Sequence, residues 1–413
     1  MGSNLQTEFN YSSLDALFKT KFWKYYENAF NTSTPLWNEI KKTNDFTGKK
    51  IEFPVPTSYK GGVGSGVLPE TNNADYGDVQ ILPKKVYATD RVDRESIMAS
   101  MSSEGAFVRA IAECIKKTVE ADVWNHNRIL FGNADGSLGT TKASAAVTDN
   151  TGGNYSVIIG EGASTFKEAN FEENMFVNFG TGTDLFEIQS VTASTRTIVV
   201  QRQAGGTNVP TTSTIVYLQG SKDNDPHGLK YVCDAVVGTP TTLYNVTVGR
   251  KWIAYQNAVT VGITTDIMNT AVTQVEKKVG IPSKQIVTSY EQWEKLLNLL
   301  EDQKRYNMTS VSPKGYEGMK GVVSFKGIEF MSSRGAVNIF PDKFCEPDRM
   351  YFLNPDHITY FRRPNSGWVK EDIGGNGYLR VADEDQFEAR LATYGQIFIA
   401  PTWQGVVTGL TTT

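Results

Sequence analysis

The residues whose types could do chemistry are few and far apart. Asp223, Asn224, Asp225, His227 and Asp234 lie in the run DNDPHGLKYVCD, which imitates the start of a calcium-binding loop. Its fifth position is His227 and its twelfth is Asp234, so the bidentate glutamate that completes such a loop is missing, and the run predicts a turn at a domain junction. The glycines of GGVGSGVLPE at 61–70 invite a phosphate-loop reading. No Lys-Ser/Thr pair follows the last glycine and no helix opens there, so the pattern fails. His126, His227 and His357 have neither metal-ligand spacing nor a cysteine companion, so they predict no zinc site. Cys345, in KFCEPD, has no histidine beside it and predicts an inert turn thiol. Glu371, Asp372, Asp383, Glu384 and Asp385 make an acidic patch, read as a solvated or intersubunit ion-pair face in preference to a glycosidase carboxylate pair. No catalytic residue, metal or cofactor is expected.

The chain that must position these residues has 413 of them, 39% hydrophobic and 21% charged, enough for two or three domains. A net charge of −4 gives no basic footprint and argues against a protein whose main task is gripping nucleic acid. Cys114, Cys233 and Cys345 are odd in number and set in apolar contexts, which predicts core thiols in a reducing compartment. No apolar run reaches the roughly 18 residues that span a bilayer, and MGSNLQTEFNYSSLD lacks the order of a signal peptide, so no membrane association is expected.

Along the chain, LFKTKFWKYYENAF and PLWNEIKK predict short amphipathic helical pieces whose Phe22, Trp23 and Tyr26 need cover from the rest of the chain or from a neighbouring copy. Two strand-like arms follow, IEFPVP and VQILPKKVYATDRV, joined by the glycine-rich tip. Arms of about 15 residues would reach about 50 Å, beyond the radius of a typical domain. A bare two-stranded ribbon is marginal in water, so this one is expected to lie on a partner. Lys60, Gly62, Gly64 and Gly66 at the tip, with Lys84, Lys85, Arg91 and Arg94 on the return arm, are the expected contact residues. Ser103 then caps a long amphipathic helix over 103–131. From 133 to 230 short alternating runs such as FVNFG and TIVVQRQ predict a compact all-β insertion, a small barrel or sandwich. Helices and strands alternate afterwards, which predicts an α/β layer, and FEARLATYGQIFIAPTWQGVVTG closes the chain as a long β run pairing back to an earlier part.

This order resembles the major capsid proteins of tailed bacteriophages with the HK97-type fold. The likeness is carried by KGIEFMSSRGAVNIFPDKFCEPDRMYFLN, by DQFEARLATYGQIFIAPTWQGVVTG and by DPHGLKYVCDA, in their order along nearly the whole chain. It implies an α+β fold with an N-terminal arm over 1–48, an extended β-hairpin loop over 49–95, a spine helix within a peripheral domain at 96–132, and the inserted β-rich domain at 133–230. The peripheral domain continues at 231–262, the axial domain covers 263–385, and a peripheral return strand covers 386–413. In this family the hairpin lies over the neighbouring subunit, and the tip glycines would let it adapt to hexamers and pentamers.

The resemblance further implies an icosahedral or prolate shell around double-stranded DNA, assembled in the host cytoplasm and residing in the virion. It implies a separate scaffolding protein, a portal protein, a possible decoration protein, and packaged DNA as a neighbour bound without sequence specificity. Some members join a hairpin lysine to an asparagine of another subunit. Lys60 is the one lysine suitably sited, with Asn354 and Asn376 matching by region, but its glycine surroundings predict a wet, charged amine and hence non-covalent locking. The alternatives are the shell of an encapsulin-type bacterial compartment and a β-rich carbohydrate-binding surface protein.

Overall fold

A computed structural model of the chain describes residues 35–58, 65–66, 76–94, 118–162, 165–249, 251–307, 328–332, 335–364, 367–368, 378–380 and 385–412. In chain order these form helix α1 (Pro35–Glu39) and strands β1 (Lys41–Thr43), β2 (Ile51–Pro56), β3 (Tyr76–Ile81) and β4 (Lys84–Asp93). Helix α2 covers 118–130. Seven strands follow: β5 (Ser137–Thr140), β6 (Val147–Asp149), β7 (Asn154–Ile158), β8 (Phe176–Phe179), β9 (Phe186–Thr192), β10 (Thr197–Arg202) and β11 (Ile215–Leu218). Next come α3 (Leu229–Cys233), the pair β12 (Thr242–Leu243) and β13 (Val246–Thr247), then β14 (Tyr255–Ala258), α4 (Thr265–Val279), β15 (Gln285–Thr288) and α5 (Tyr290–Asn307). The rest is strand: β16 (Ile328–Ser332), β17 (Gly335–Pro341), β18 (Met350–Leu353), β19 (Ile358–Arg362), β20 (Gly367–Trp368), β21 (Tyr378–Arg380), β22 (Gln386–Ile399) and β23 (Gly405–Thr408).

The chain divides into two compact units. The first takes its described residues from Met1–Ile51, Leu82–Arg128 and Tyr360–Ile397, the second from Glu52–Ile81, Ile129–Thr359 and Phe398–Thr413. The first is built on a sheet in which β22 pairs with β19, β20, β21 and β4, and β1 flanks β19. Leu36 and Trp37 of α1 are wholly buried, and Trp37 packs its ring against those of His126 and Tyr360 at 5.7 and 5.1 Å. Leu36, Trp37 and Ile40 are therefore covered by the chain itself. Phe22, Trp23 and Tyr26 lie outside the described residues, as does the 103–117 part of the long helix.

In the second unit the seven strands of 137–218 are ordered β5-β11-β8-β9-β10-β7-β6. Gly160 N donates to Thr140 O at 2.7 Å, Lys142 N donates to Ile158 O at 3.0 Å, and a bridge joins Thr141 to Ile159. These bonds bring the end of β5 round to the end of β7, while β6 stays at the edge as a partner of β7 alone. Val157, Val177, Ile188, Ile198, Val200 and Val216 fill the interior and are fully buried. Residues 137–218 thus form a seven-stranded antiparallel β structure.

Behind it lies a six-stranded sheet, ordered β14-β23-β18-β15-β17-β16, covered by α4. Helix α4 is capped at both ends: Thr264 Oγ1, one residue before the expected Thr265 or Asp266, accepts from Ile267 N, and Gly280 ends it in the left-handed region at φ 78°. Met268, Ala271, Val272 and Val275 form its inward stripe against Ile286, Phe352 and Val407.

Two expected long strands are broken by proline. The return arm splits at Pro83, so β3 pairs with β2 while β4 joins β22 in the other unit's sheet. The C-terminal run splits at Pro401, where a short 3-10 turn separates β22 from β23. A proline has no N–H to give the ladder, which ends each strand there. Among the described residues the hairpin's two strands, β2 and β3, are six residues each, not about fifteen.

Candidate assembly surface

The stem of the hairpin is fixed on its own unit. Val79 and Ile81 are fully buried, Gln80 N donates to Tyr244 O at 2.8 Å, and Asn245 Nδ2 donates to Asp78 O at 3.3 Å. Phe53 meets Phe398 edge-on at 5.1 Å, and Phe398 meets Tyr244 at the same spacing. The period of two sends the opposite face to solvent: Glu52, Pro54, Pro56, Asp78 and Tyr76, which is 66% exposed. The result is a stem anchored on one face and open on the other. Gly66 has φ 97° and open space around its Cα, a backbone state suited to glycine alone. Lys60, Gly62 and Gly64 lie outside the described residues.

The charged return strand has partners within the chain. A ten-residue ladder runs from Lys84↔Gly395 to Asp93↔Gln386. On it Arg91 Nε stands 3.0 Å from Glu388 Oε2, Arg390 Nε stands 2.5 Å from Glu388 Oε1, and Arg94 pairs with Asp385 at 3.3 Å. The Arg390 bond, outweighing the effect of burial and helped by Arg91, holds the Glu388 carboxyl below its ordinary pKa. Lys85, Tyr87, Thr89 and Arg91 are exposed on one side of β4. Tyr87 rests edge-on against Tyr394 at 6.2 Å. Asp385 is thus the one member of the acidic patch among the described residues, and it makes an ion pair.

Sequence reasoning missed two buried polar clusters, because their members are distant in the chain. In the second unit Lys167, from the β insertion, reaches Glu346 at 2.8 Å, and Lys230 reaches the same oxygen at 3.4 Å. Tyr351 Oη donates to Glu346 Oε2 at 3.0 Å, and Arg349 donates to Asp234 Oδ1 at 2.6 Å. Burial alone would raise the Glu346 pKa, but Lys167, Lys230 and Arg349 bring it down to about 2. Asp234, the twelfth residue of the calcium-like run, is therefore an ion-pair partner of Arg349. In the first unit His126 Nδ1 lies 2.9 Å from Asp122 O, and Nε2 lies 3.3 Å from Tyr360 Oη. Burial works against its charge, yet the charge and hydrogen bonds of Asp122 raise its pKa overall.

The thiol next to the Glu346 cluster is not set up as a nucleophile. Burial, with Glu346 beside it, pushes the Cys345 thiol well above its usual pKa, so no thiolate is on hand. Asn354 is 2% exposed, so its side chain is no surface acceptor for another subunit's lysine. Asn376 lies outside the described residues. Among the described residues no group of three or more His, Cys, Asp or Glu side chains could hold a metal, and no helix is long and apolar enough to cross a membrane.

No protein-family model and no curated protein matches the sequence. Solved structures do match it in fold. A chain of the cyanophage A-1(L) capsid asymmetric unit is similar over 90% of this chain and 90% of its own, with a TM-score of 0.53 and 13% identity. The holo-SrpI encapsulin complex from Synechococcus elongatus matches over 93% and 90% with a TM-score of 0.46 and 11% identity. The satellite phage P4 procapsid matches over 99% and 98% with a TM-score of 0.41 and 9% identity. The likeness to the cyanophage capsid chain is the one that carries the assignment: this chain has the fold of a phage capsid protein.

Proposed function

We propose that this chain is the major capsid protein of a tailed bacteriophage, a non-catalytic subunit that assembles with copies of itself into the shell around a double-stranded DNA genome. The observation that carries the reading is the likeness to the cyanophage capsid chain over nine-tenths of both chains. The stem of β2 and β3 supports it, being anchored on one face and open on the other. In the HK97-type arrangement that stem would carry its glycine tip, with Lys60, Gly62, Gly64 and Gly66, over the next subunit of a hexamer or pentamer. Lys84, Lys85, Arg91 and Arg94 would add contacts at its base, and Phe22, Trp23 and Tyr26 of the N-terminal arm would pack against neighbours.

Shell strength in this scheme comes from repetition. Each interface gains roughly 25 cal/mol per Å² of apolar area, offset by lost freedom of the subunit, so single contacts stay reversible while the closed lattice holds. A scaffolding protein and a portal protein are the partners that the scheme calls for, with a decoration protein on the outer surface as an optional one.

Sedimentation and negative-stain microscopy of the purified protein test it. Uniform shells or capsomers are expected; a monodisperse monomer under all assembly conditions would overturn it. Protein cargo in place of DNA inside particles from producing cells would favour the encapsulin alternative.

A further inference from the structure

The whole chain is acidic, yet the first unit has more bases than acids and the second has more acids than bases. Six of the first unit's bases lie in two short segments, 41–50 and 362–363. β1 lies beside β19 in the sheet, and the last residue of β19, Arg362, donates from Nε to Asn44 Oδ1 at 2.5 Å. The next residue, Arg363, donates to Gly48 O at 2.9 Å and stacks its guanidinium 5.8 Å from the ring of Phe46, which is buried. Two arginines thus pin the 44–48 turn, which in the chain separates Lys41 and Lys42 from Lys49 and Lys50.

Lys41, Lys49, Lys50 and Arg363 are exposed, while Lys42 and Arg362 are half-buried. Only Glu39 and Asp45 oppose them on the 39–50 segment, and Asp45 is engaged by Thr43 Oγ1 at 2.5 Å. Burial, and after it repulsion from Arg362, lowers the Lys42 ammonium to a pKa of about 8.

We propose that Lys41, Lys42, Lys49, Lys50, Arg362 and Arg363 form a face that binds the phosphate backbone of double-stranded DNA without reading its sequence. The proposal rests on the shell reading and names the part of the subunit that meets the genome. Duplex DNA fits better than an acidic protein because, among the described residues, 35–50 and 360–364 expose no large apolar side chain. A protein interface needs an apolar core, whereas backbone binding needs only charge at the phosphate spacing.

The test is fluorescence anisotropy of the purified protein with a short labelled duplex of arbitrary sequence, titrated over a range of sodium chloride. About four phosphate contacts give a slope of log affinity on log salt near −3.6, since each contributes about −0.9. The triple variant Lys41→Gln, Lys49→Gln, Lys50→Gln is expected to form shells as the parent does and to lose about 2.7 of that slope, while Lys→Arg at the same three positions restores it. A parent slope near zero, or a triple variant with the parent's slope, overturns the proposal. Lost shell formation with unchanged DNA binding also overturns it, and makes this face a contact between copies. Failure of the shell reading looks different: no particles from the parent, whatever its affinity for DNA.

Discussion

Lys167 Nζ lies 2.8 Å from Glu346 Oε1, and this ion pair ties the β insertion to the α/β layer with both side chains about nine-tenths buried. Breaking one side of a buried pair leaves the other charge without compensation and costs on the order of 3–5 kcal/mol. Glu346→Gln should therefore lower the melting temperature sharply, and Lys167→Met less so, because Lys230 still faces the carboxylate. The pH dependence has a definite sign. The folded pKa of Glu346, about 2, is below its ordinary 4.5, so its contribution is complete above pH 4.5 and drains away as pH falls toward 2. A melting curve of Glu346→Gln that matches the parent's at pH 7 would show that the pair fastens nothing.

Asp342 behaves in the opposite sense. Burial, partly offset by the bond from Phe344 N and by Lys343 and Lys167, raises its pKa from 3.8 to about 6. The fold prefers the neutral acid, so stability from this group is greatest below pH 3.8 and falls as pH rises through 6. Asp342→Asn keeps an oxygen for the 2.9 Å bond from Phe344 N and removes the charge. It should stabilise the protein at pH 7 by on the order of 1–3 kcal/mol, with no gain at pH 4. Thermal shifts at the two pH values check this.

Gly228, in the DPHGLKYVCDA turn, has no room for a side chain. A Cβ there would lie 2.3 Å from Ile129 O and 2.4 Å from Gly132 O, both backbone atoms that cannot swing aside. Gly228→Ala should cost at least about 1–3 kcal/mol, the usual penalty of overpacking, and reduce soluble yield. Normal yield and melting would mean that α2 and α3 meet less closely than described.

Residues 58–75 lie in sequence between β2 and β3, while Val79 and Ile81 of β3 are buried. Replacing 58–75 with a short Gly-Ser turn keeps the stem and should give a folded subunit with a near-normal melting profile but no shells. Particles of ordinary size from that variant, seen by sedimentation, would remove the tip from the assembly contacts.

Much of the fold was legible because it rests on local signals. Thr264 and Gly280 bound α4 by capping chemistry, QIVT reads as a strand by composition, and the polar runs of 137–218 alternate with the period of a half-buried sheet. Pro83 and Pro401 were visible too, but their effect depends on which neighbouring strand each half joins, and pairing partners leave no local mark. The same reason hid the ionic joint: Lys167, Lys230 and Glu346 lie in three separate segments, and only the folded chain brings them to one carboxylate. The basic face was hidden by averaging, since a net charge of −4 is silent about Arg362 and Arg363 beside 41–50.

The central claim is that this chain closes into a shell by laying its hairpin on the next copy. Cryo-electron microscopy of the assembled particle tests it most directly. The account predicts a closed shell in which β2 and β3 stay on their own subunit while the 59–75 tip rests on an adjoining one. Particles whose tips fold back onto their own subunit, or a purified protein that never forms closed particles, would contradict it.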